Sequence, residues 1–512
     1  MRFDNKVVVI SDLSGELGNI LMRRFKEEGA LTVGIDSLQI NKSAVERFVE
    51  KTVNDFGKID VLIHCDNYVS EKSIENCSDA DFDKSLDINA KSAFLLTQAV
   101  GRVMKERRYG KILYISSIHD EKPNGFDFCY SVAKGAVKML MREACLDLGI
   151  YGINVNILNA GALEGDDMRF KSNRSALYEQ MYDKIPCGKA NTNDDIAGIA
   201  LFLCADECCA INGADITADR GFLKSYFPRY NYEEYADIAA RFPAPKRGTY
   251  VFPEKKLPQA TNNGKVAVVT GAATSIGQGV ALALAKEGVK VVVGYNSVSA
   301  DETLRLIDEV NGEAIAVKAD VSDREQVKNL FKTAFDNFGE IDLLVNNAAV
   351  QLNLWLLEYS EEQYDRLMQI NVKGYFICMQ EALAYMKKEA FARIVNTASI
   401  HAERPTNFDI VYSMTKGGVK MLTREAALEL SKYDITVNQL DLGAIMVPSR
   451  SGNFISKPSK PLEFKNRPKG GFLSGRYGYP FDVGYIVSFL LDERSQFING
   501  SSIRADGGAM NV

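Results

Sequence analysis

Apolar residues in this chain fall into short, nearly unbroken runs, separated by longer stretches in which they recur every three or four positions. VAVVT, VKVVVGY, EAIAVKAD, IDLLVNNA, ARIVNTAS, ITVNQLD and SSIRADG, all in the second half, are runs of the first kind. A strand that is apolar on both faces must be covered on both faces, and the stretches of helical periodicity supply the cover. The pattern predicts an α/β architecture in which helices flank a doubly wound parallel sheet.

The pattern occurs twice. FGKIDVLIHCDNY from Phe56 recurs as FGEIDLLVNNAAV from Phe338, and CYSVAKGAVKMLMREA from Cys129 recurs as VYSMTKGGVKMLTREA from Val411, both at an offset of 282. The same offset relates Asn89 to Asn371, Ser117 to Ser399 and Gly161 to Gly443. KVVVI from Lys6 matches KVAVV from Lys265 at an offset of only 259, so the first copy lacks 23 residues before Phe56. NGADITADRG from Asn212 matches NGSSIRADGG from Asn499 at 287, which places five extra residues of the second copy after Gly443. The first copy has no counterpart of EAIAVKADV, and its sheet is expected to be one strand shorter. Residues 1–221 and 264–512 read as two domains. Between them, 222–263 is rich in Tyr, Phe, Pro and Arg rather than Gly and Ser, which predicts an ordered strap rather than a flexible tether.

Composition narrows the class. With 46% hydrophobic and 25% charged residues the chain is an ordinary globular one, and its net charge of −6 lacks the basic excess that nucleic acid or anionic lipid selects. No apolar run reaches the roughly 18 residues of a membrane helix, and the start leads into Val7-Val8-Val9-Ile10 without a signal-peptide core. The expectation is a cytoplasmic protein with neither nucleic acid nor membrane as partner. The nine cysteines are odd in number, and Cys204, Cys208 and Cys209 lack zinc-site spacing in a chain whose only histidines are His64, His119 and His401. Free thiols and no metal are expected.

The chemistry concentrates in the second copy. Its first strand runs into Gly271-Ala272-Ala273-Thr274-Ser275-Ile276-Gly277 and then a helix, a turn in which backbone N–H groups and a helix N-terminus can approach a pyrophosphate. Tyr412 and Lys416, four apart, project from one helix face, and Ser399 ends the strand IVNTAS. Hydride exchange with a secondary alcohol needs a proton donor or acceptor beside the oxygen. A phenol with a pKa of about 10 serves only when a nearby cation stabilises its anion. Lys416 can supply that charge, Ser399 can hydrogen-bond the substrate oxygen, and Asn371 can hold a water relay.

Taken with NNAA at 346–349, these residues resemble the short-chain dehydrogenase/reductase family, fully over about 265–512 and in worn form over about 5–221. The resemblance implies two tandem Rossmann-type domains, the first truncated by about one strand. It implies a catalytic tetrad of Asn371, Ser399, Tyr412 and Lys416. It further implies a dinucleotide held by Gly271, Ser275, Ile276, Gly277, Gly443, Tyr412 and Lys416, with Asp320 and Val321 at adenine and Asn347 and Ala348 along its length. Three departures stand out: Ser275 in place of the family's middle glycine, Ala349 in place of the glycine of NNAG, and Leu442-Gly443 with Val447 where Pro-Gly and a threonine are usual. The cofactor is NADP or NAD, one per chain. Tyr295 and Asn296 end the second strand without the acid that would repel a 2′-phosphate, which favours NADP.

In the first copy the tetrad types survive as Asn89, Ser117, Tyr130 and Lys134. Asp12 and Glu16 instead occupy the glycine positions of the turn, two carboxylates facing an already anionic pyrophosphate, and His64-Cys65-Asp66 replaces Asn-Asn-Ala. A structural copy without cofactor is expected. In this family the helices carrying LTQAVGRVM and YSVAKGAVKMLM supply a dimer interface, so the copies should form an intrachain pseudo-dimer and two chains a pseudo-tetramer. From Ala444 to Arg476, Arg450, Lys457, Lys460, Lys465, Arg467, Lys469 and Arg476 outnumber the single acid Glu463, which suits a lid over an anionic small molecule. ASIHAERP and VYSMTKGGVKMLTREAALEL resemble glucose 1-dehydrogenase-like members, with sugars or polyols as substrates. 3-Oxoacyl carrier-protein reduction and a cofactor-binding sensor without turnover are the alternatives.

Overall fold

The structure is a computed structural model that describes residues 1–36, 41–125, 127–164, 184–185, 187, 189–224, 262–387, 391–447, 477–496 and 498–511. Most of the inter-copy strap, 225–261, and the basic stretch 448–476 lie outside the described residues. No helix of the described residues is long and apolar enough to cross a membrane.

Two parallel sheets form the frame. The first contains β1 (Val7–Ser11), β2 (Leu31–Ile35), β3 (Val61–His64), β4 (Gly110–Ser117), β5 (Ile153–Ala160) and β6 (Asp215–Ala218), in the order β2-β1-β3-β4-β5-β6. The second contains β7 (Val266–Val269), β8 (Lys290–Tyr295), β9 (Ala314–Lys318), β10 (Leu343–Asn346), β11 (Ala392–Thr397), β12 (Ile435–Leu442) and β13 (Ser502–Ala505), in the order β13-β12-β11-β10-β7-β8-β9. The additional edge strand is β9, the EAIAVKADV segment that the first copy lacks. In each sheet the winding reverses beside the first strand, between β1 and β3 or β7 and β10, which opens a crevice at the carboxyl ends of the strands. The repeated Phe-Gly has a local cause: helices Lys42–Phe56 and Arg324–Phe338 end on Gly57 and Gly339 in the left-handed conformation, φ 74° and 80°.

The halves pack through helices Phe128–Asp147 and Ile410–Leu430, which cross at Gly135 and Gly417. The contacts occur in pairs related by the 282-residue offset. Phe82 stacks on Phe376 at 4.4 Å between ring centres, and Tyr364 on Phe94 at 4.7 Å. Lys373 pairs with Asp83 at 2.5 Å, and Lys91 with Asp365 at 2.7 Å. Gln98 donates to the Leu356 and Tyr359 carbonyls, and Gln380 to those of Ile74 and Cys77. Buried residues of both halves, from Val9 to Val437, form one continuous apolar cluster. The chain is thus a pseudo-twofold pair around a shared core.

Candidate active site

Most of the described second-half residues singled out from the sequence lie at a strand end or near a helix start. Ser399 follows β11 and is nearly buried; its hydroxyl donates to the Leu442 carbonyl at 3.3 Å and accepts from the His401 N–H at 3.2 Å. It also hydrogen-bonds the phenol of Tyr412, a residue that is partly exposed. Burial pushes that phenol up to about 12, the Ser399 bond opposes this, and the charge of Asp409 adds to it. Lys416 lies one turn further along, 2% exposed, with its Nζ donating to the Thr397 carbonyl at 3.3 Å and lying 5.3 Å from the centre of the Tyr412 ring. Burial lowers the Lys416 ammonium to about 8, and the negative charge of Asp441 opposes the drop. Asn371 sits in a π-helical turn, Gln369–Lys373, a widened turn frequent at functional sites. Its amide closes a two-way bond with the Val350 backbone, both distances 2.8 Å, and donates to Thr415 Oγ1 at 3.2 Å.

The glycine turn fits a pyrophosphate. Gly271 has φ 62° and Ser275 φ 56°, so the serine holds the left-handed conformation at that point of the turn. A Cβ on Gly277 would lie 2.3 Å from the Gly271 carbonyl oxygen, and one on Gly271 2.9 Å from the Ala348 Cα, so both positions need glycine for close approach. Helix Ser275–Lys286 starts at Thr274 without a side-chain cap, so the Thr274 side chain takes none of its first N–H groups, and Ile276 is in its first turn. Asn347 is fixed by three bonds to the end of β7, its N–H to Thr270 Oγ1 (2.9 Å) and its amide to the Thr270 and Gly271 carbonyls (3.1 and 3.2 Å), and the Ala348 N–H joins the same hydroxyl at 3.2 Å. Gly443 follows β12, where a Cβ would meet the Asp506 Cα at 2.6 Å.

Where the resemblance implies adenosine, Tyr295 closes β8, and the Asn296 amide donates to Asp320 Oδ2 at 2.9 Å, while Ser322 holds Oδ1 through its N–H and hydroxyl. Val321 is buried beside them. The fold therefore brings an acid from beyond β9 to the strand end where the sequence places none. The segment 444–476 leaves and returns at one place, since Ile445 bridges to Gly478 and the Met446 N–H donates to the Gly478 carbonyl at 2.8 Å. Its basic residues Arg450, Lys457, Lys460, Lys465, Arg467, Lys469 and Arg476 are outside the described residues.

One residue that spacing and motif reading passed over is Asp409. It caps the Tyr412 helix by accepting the Tyr412 N–H at 3.1 Å, takes the Leu352 and Asn353 N–H groups at 3.1 and 2.8 Å, and accepts the Tyr359 hydroxyl. An aspartate just ahead of an apolar-periodic run is the signal that would have found it.

In the first half two acidic side chains stand at the corresponding positions. The carboxylate of Asp12, which stands where Gly271 does with φ 57°, folds over Gly15 at the start of helix Glu16–Glu27, and a Cβ on Gly15 would meet it at 2.3 Å. It accepts from Ser14 Oγ at 3.0 Å, and burial together with Asp66 and Asp36 raises its pKa. Asp66, at the place of Ala348, is fully buried, 2.9 Å from His64 Nε2, and its carbonyl holds the Lys134 ammonium at 3.0 Å.

A family model described as enoyl-(acyl carrier protein) reductase matches residues 5–223 and 271–510, in both halves. The chain belongs to the short-chain dehydrogenase/reductase family. It is an NAD(P)-dependent oxidoreductase acting on CH–OH groups. Similar proteins include glucose 1-dehydrogenase 2 of Bacillus subtilis, 34% identical over 249 residues, 48% of this chain and 94% of that protein. A hydroxynaphthalene reductase-like protein of Metarhizium robertsii is 34% identical over 258 residues, 48% of this chain and 95% of its own length. A solved short-chain type dehydrogenase/reductase from Mycobacterium marinum is 29% identical, over 48% of this chain and 96% of that one, with a TM-score of 0.43. Each relative has the length of one half.

Proposed function

We propose that the second half alone carries the chemistry, interconverting a secondary alcohol of sugar or polyol type and the corresponding carbonyl. The observation that carries this reading is the Tyr412 phenol, bonded to Ser399 and beside the buried Lys416 ammonium, next to a turn in which Gly271 and Gly277 leave no room for a Cβ. A bound nicotinamide dinucleotide supplies or accepts the hydride. Tyr412 donates a proton to the substrate oxygen in reduction and removes it in oxidation. Ser399 orients that oxygen, Lys416 stabilises the phenolate by its charge, and Asn371 holds the Val350 loop against the Tyr412 helix.

One dinucleotide per chain fits the second half. The absence of an acid on β8 favours NADP, whereas the Asp320 carboxylate beside Asn296 favours NAD, so the two features oppose each other. In the first half the Asp12 carboxylate at the helix start competes with a pyrophosphate for the same N–H groups, and Asp66 occupies the neighbourhood of Lys134. That half acts as a scaffold. The glucose 1-dehydrogenase relative supports a sugar, and the seven basic residues between Ala444 and Arg476 support an anionic one, such as a sugar acid or sugar phosphate. Phe202 and Phe489, equivalent in the two copies and both exposed, support association of two chains into a pseudo-tetramer, which sedimentation would measure.

The experiment is a substrate panel followed by NAD(P)H absorbance, with D-glucose, polyols, sugar acids, sugar phosphates and an acetoacetyl thioester. Turnover of a sugar-type alcohol supports the reading, and turnover of the thioester alone replaces it with carrier-protein-type reduction. Dinucleotide binding without any turnover replaces it with a sensor.

A further inference from the structure

Glu143 belongs to the first half, on helix Phe128–Asp147, yet its carboxylate serves the second. It is fully buried and accepts the Thr406 N–H, the Thr406 hydroxyl at 2.8 Å, the Asn407 N–H at 3.1 Å and Ser413 Oγ at 2.5 Å. These donors bracket Tyr412: Thr406 and Asn407 form the turn entering its helix, with Asn407 at φ 68°, and Ser413 follows it. Thr406 carries the contact onward, since its Oγ1 accepts the Asp409 N–H at 2.7 Å and Asp409 in turn accepts the Tyr412 N–H. A short chain of hydrogen bonds thus runs from a first-half carboxylate to the backbone of the proton-transfer tyrosine. Removing that carboxylate leaves four donors without their acceptor, three of them buried, and the turn must move to find others.

We propose that Glu143 is a positioning residue for the second-half site, through which the scaffold half holds the entry turn of the Tyr412 helix in register for proton transfer. This rests on the reading that the chemistry belongs to Tyr412.

The pseudo-symmetry provides a matched control. Glu425, at the offset of 282, is equally buried and makes the reverse contacts, accepting the Asn124 N–H at 2.7 Å, the Gly125 N–H at 3.1 Å and the Ser131 hydroxyl. It braces the turn that leads to Tyr130. General loosening of the interface is common to the loss of either carboxylate, whereas misplacement of Tyr412 follows from only one.

The test uses the full chain with Glu143→Ala, Glu143→Gln and Glu425→Ala. Steady-state oxidation of D-glucose, or of a faster alcohol from the panel, is read together with backbone hydrogen exchange over 406–416 and 124–134. Expected is a fall in kcat of about tenfold or more in Glu143→Ala with KM within about twofold, the signature of a displaced reacting group. Glu143→Gln, whose amide oxygen still accepts, recovers part of the loss, and Glu425→Ala keeps kcat within about twofold of the parent. Exchange accelerates over 406–416 only in the Glu143 variants and over 124–134 only in Glu425→Ala. Equal losses of kcat in both alanine variants, or unchanged exchange over 406–416 in Glu143→Ala, would overturn the proposal. A loss confined to Glu425→Ala would instead overturn the assignment of the chemistry to Tyr412.

Discussion

Gly135 and Gly417 face each other across the pseudo-twofold axis, so close that a Cβ on Gly417 would lie 2.5 Å from the Gly135 carbonyl oxygen and one on Gly135 would lie 2.6 Å from that of Gly417. Backbone oxygens cannot swing aside as a side-chain end can, so each helix needs the other's glycine. Gly417→Val is expected to destabilise the chain by about 1–3 kcal/mol through overpacking, read as a lower melting temperature. Gly418→Ala is the control, because its Cβ would meet nothing closer than 3.5 Å and should be tolerated. Equal melting temperatures for the two variants would contradict the crossing.

Tyr412→Phe is expected to lower kcat by about 10²- to 10⁴-fold, because it removes the hydroxyl proposed to transfer the proton, while titration with NAD(P)H finds cofactor binding nearly unchanged. Tyr130→Phe should leave turnover at the parental rate. A halted but folded Tyr130→Phe protein would show that the first half has chemistry of its own.

Asp441 lies close enough to Lys416 to hold its ammonium up against the effect of burial, which brings it to about 8. Replacing Asp441 by Asn removes that support, so Lys416 should lose its proton at a lower pH. The kcat profile for alcohol oxidation should then begin its alkaline decline at lower pH than in the parent, with the two converging near pH 6, where ~99% of a group with pKa 8 is protonated. An unshifted alkaline limb would mean that the Lys416 charge does not limit turnover.

Burial raises Glu425 from 4.5 to about 8, against the hydrogen bonds it accepts. A carboxyl whose folded pKa exceeds its unfolded value contributes stability that is complete below pH 4.5 and is lost as pH rises to about 8, because the unfolded chain ionises first. Glu425→Gln, which resembles the protonated acid, should therefore melt at much the same temperature as the parent near pH 5 and a few degrees higher at pH 8. Parallel melting curves across that range would show that Glu425 is already ionised in the fold.

Local rules made much of this protein legible from its residues. Unbroken apolar runs between stretches of helical patterning identified two parallel sheets, because a sheet covered on both faces needs apolar runs wherever it occurs, and the shorter repeat offset identified the strand missing from the first. The four-residue spacing of Tyr412 and Lys416 placed both on one helix face, and the strand end at Ser399 delivered it to the same crevice, since side-chain direction within an element follows from its own geometry. Contacts that depend on how elements cross were not legible. The Glu143 bonds to Thr406 and Ser413 span 263 and 270 residues and exist only because two helices meet at Gly135 and Gly417. The Asn296 bond to Asp320 depends on β9 lying beside β8, and the sequence at the end of β8 contains no trace of that acid. Asp12 was readable as a misplaced carboxylate, but only the packed turn decided that it folds over its own helix start, where the Ser14 hydroxyl and the Gly15 N–H offset part of the cost of its burial.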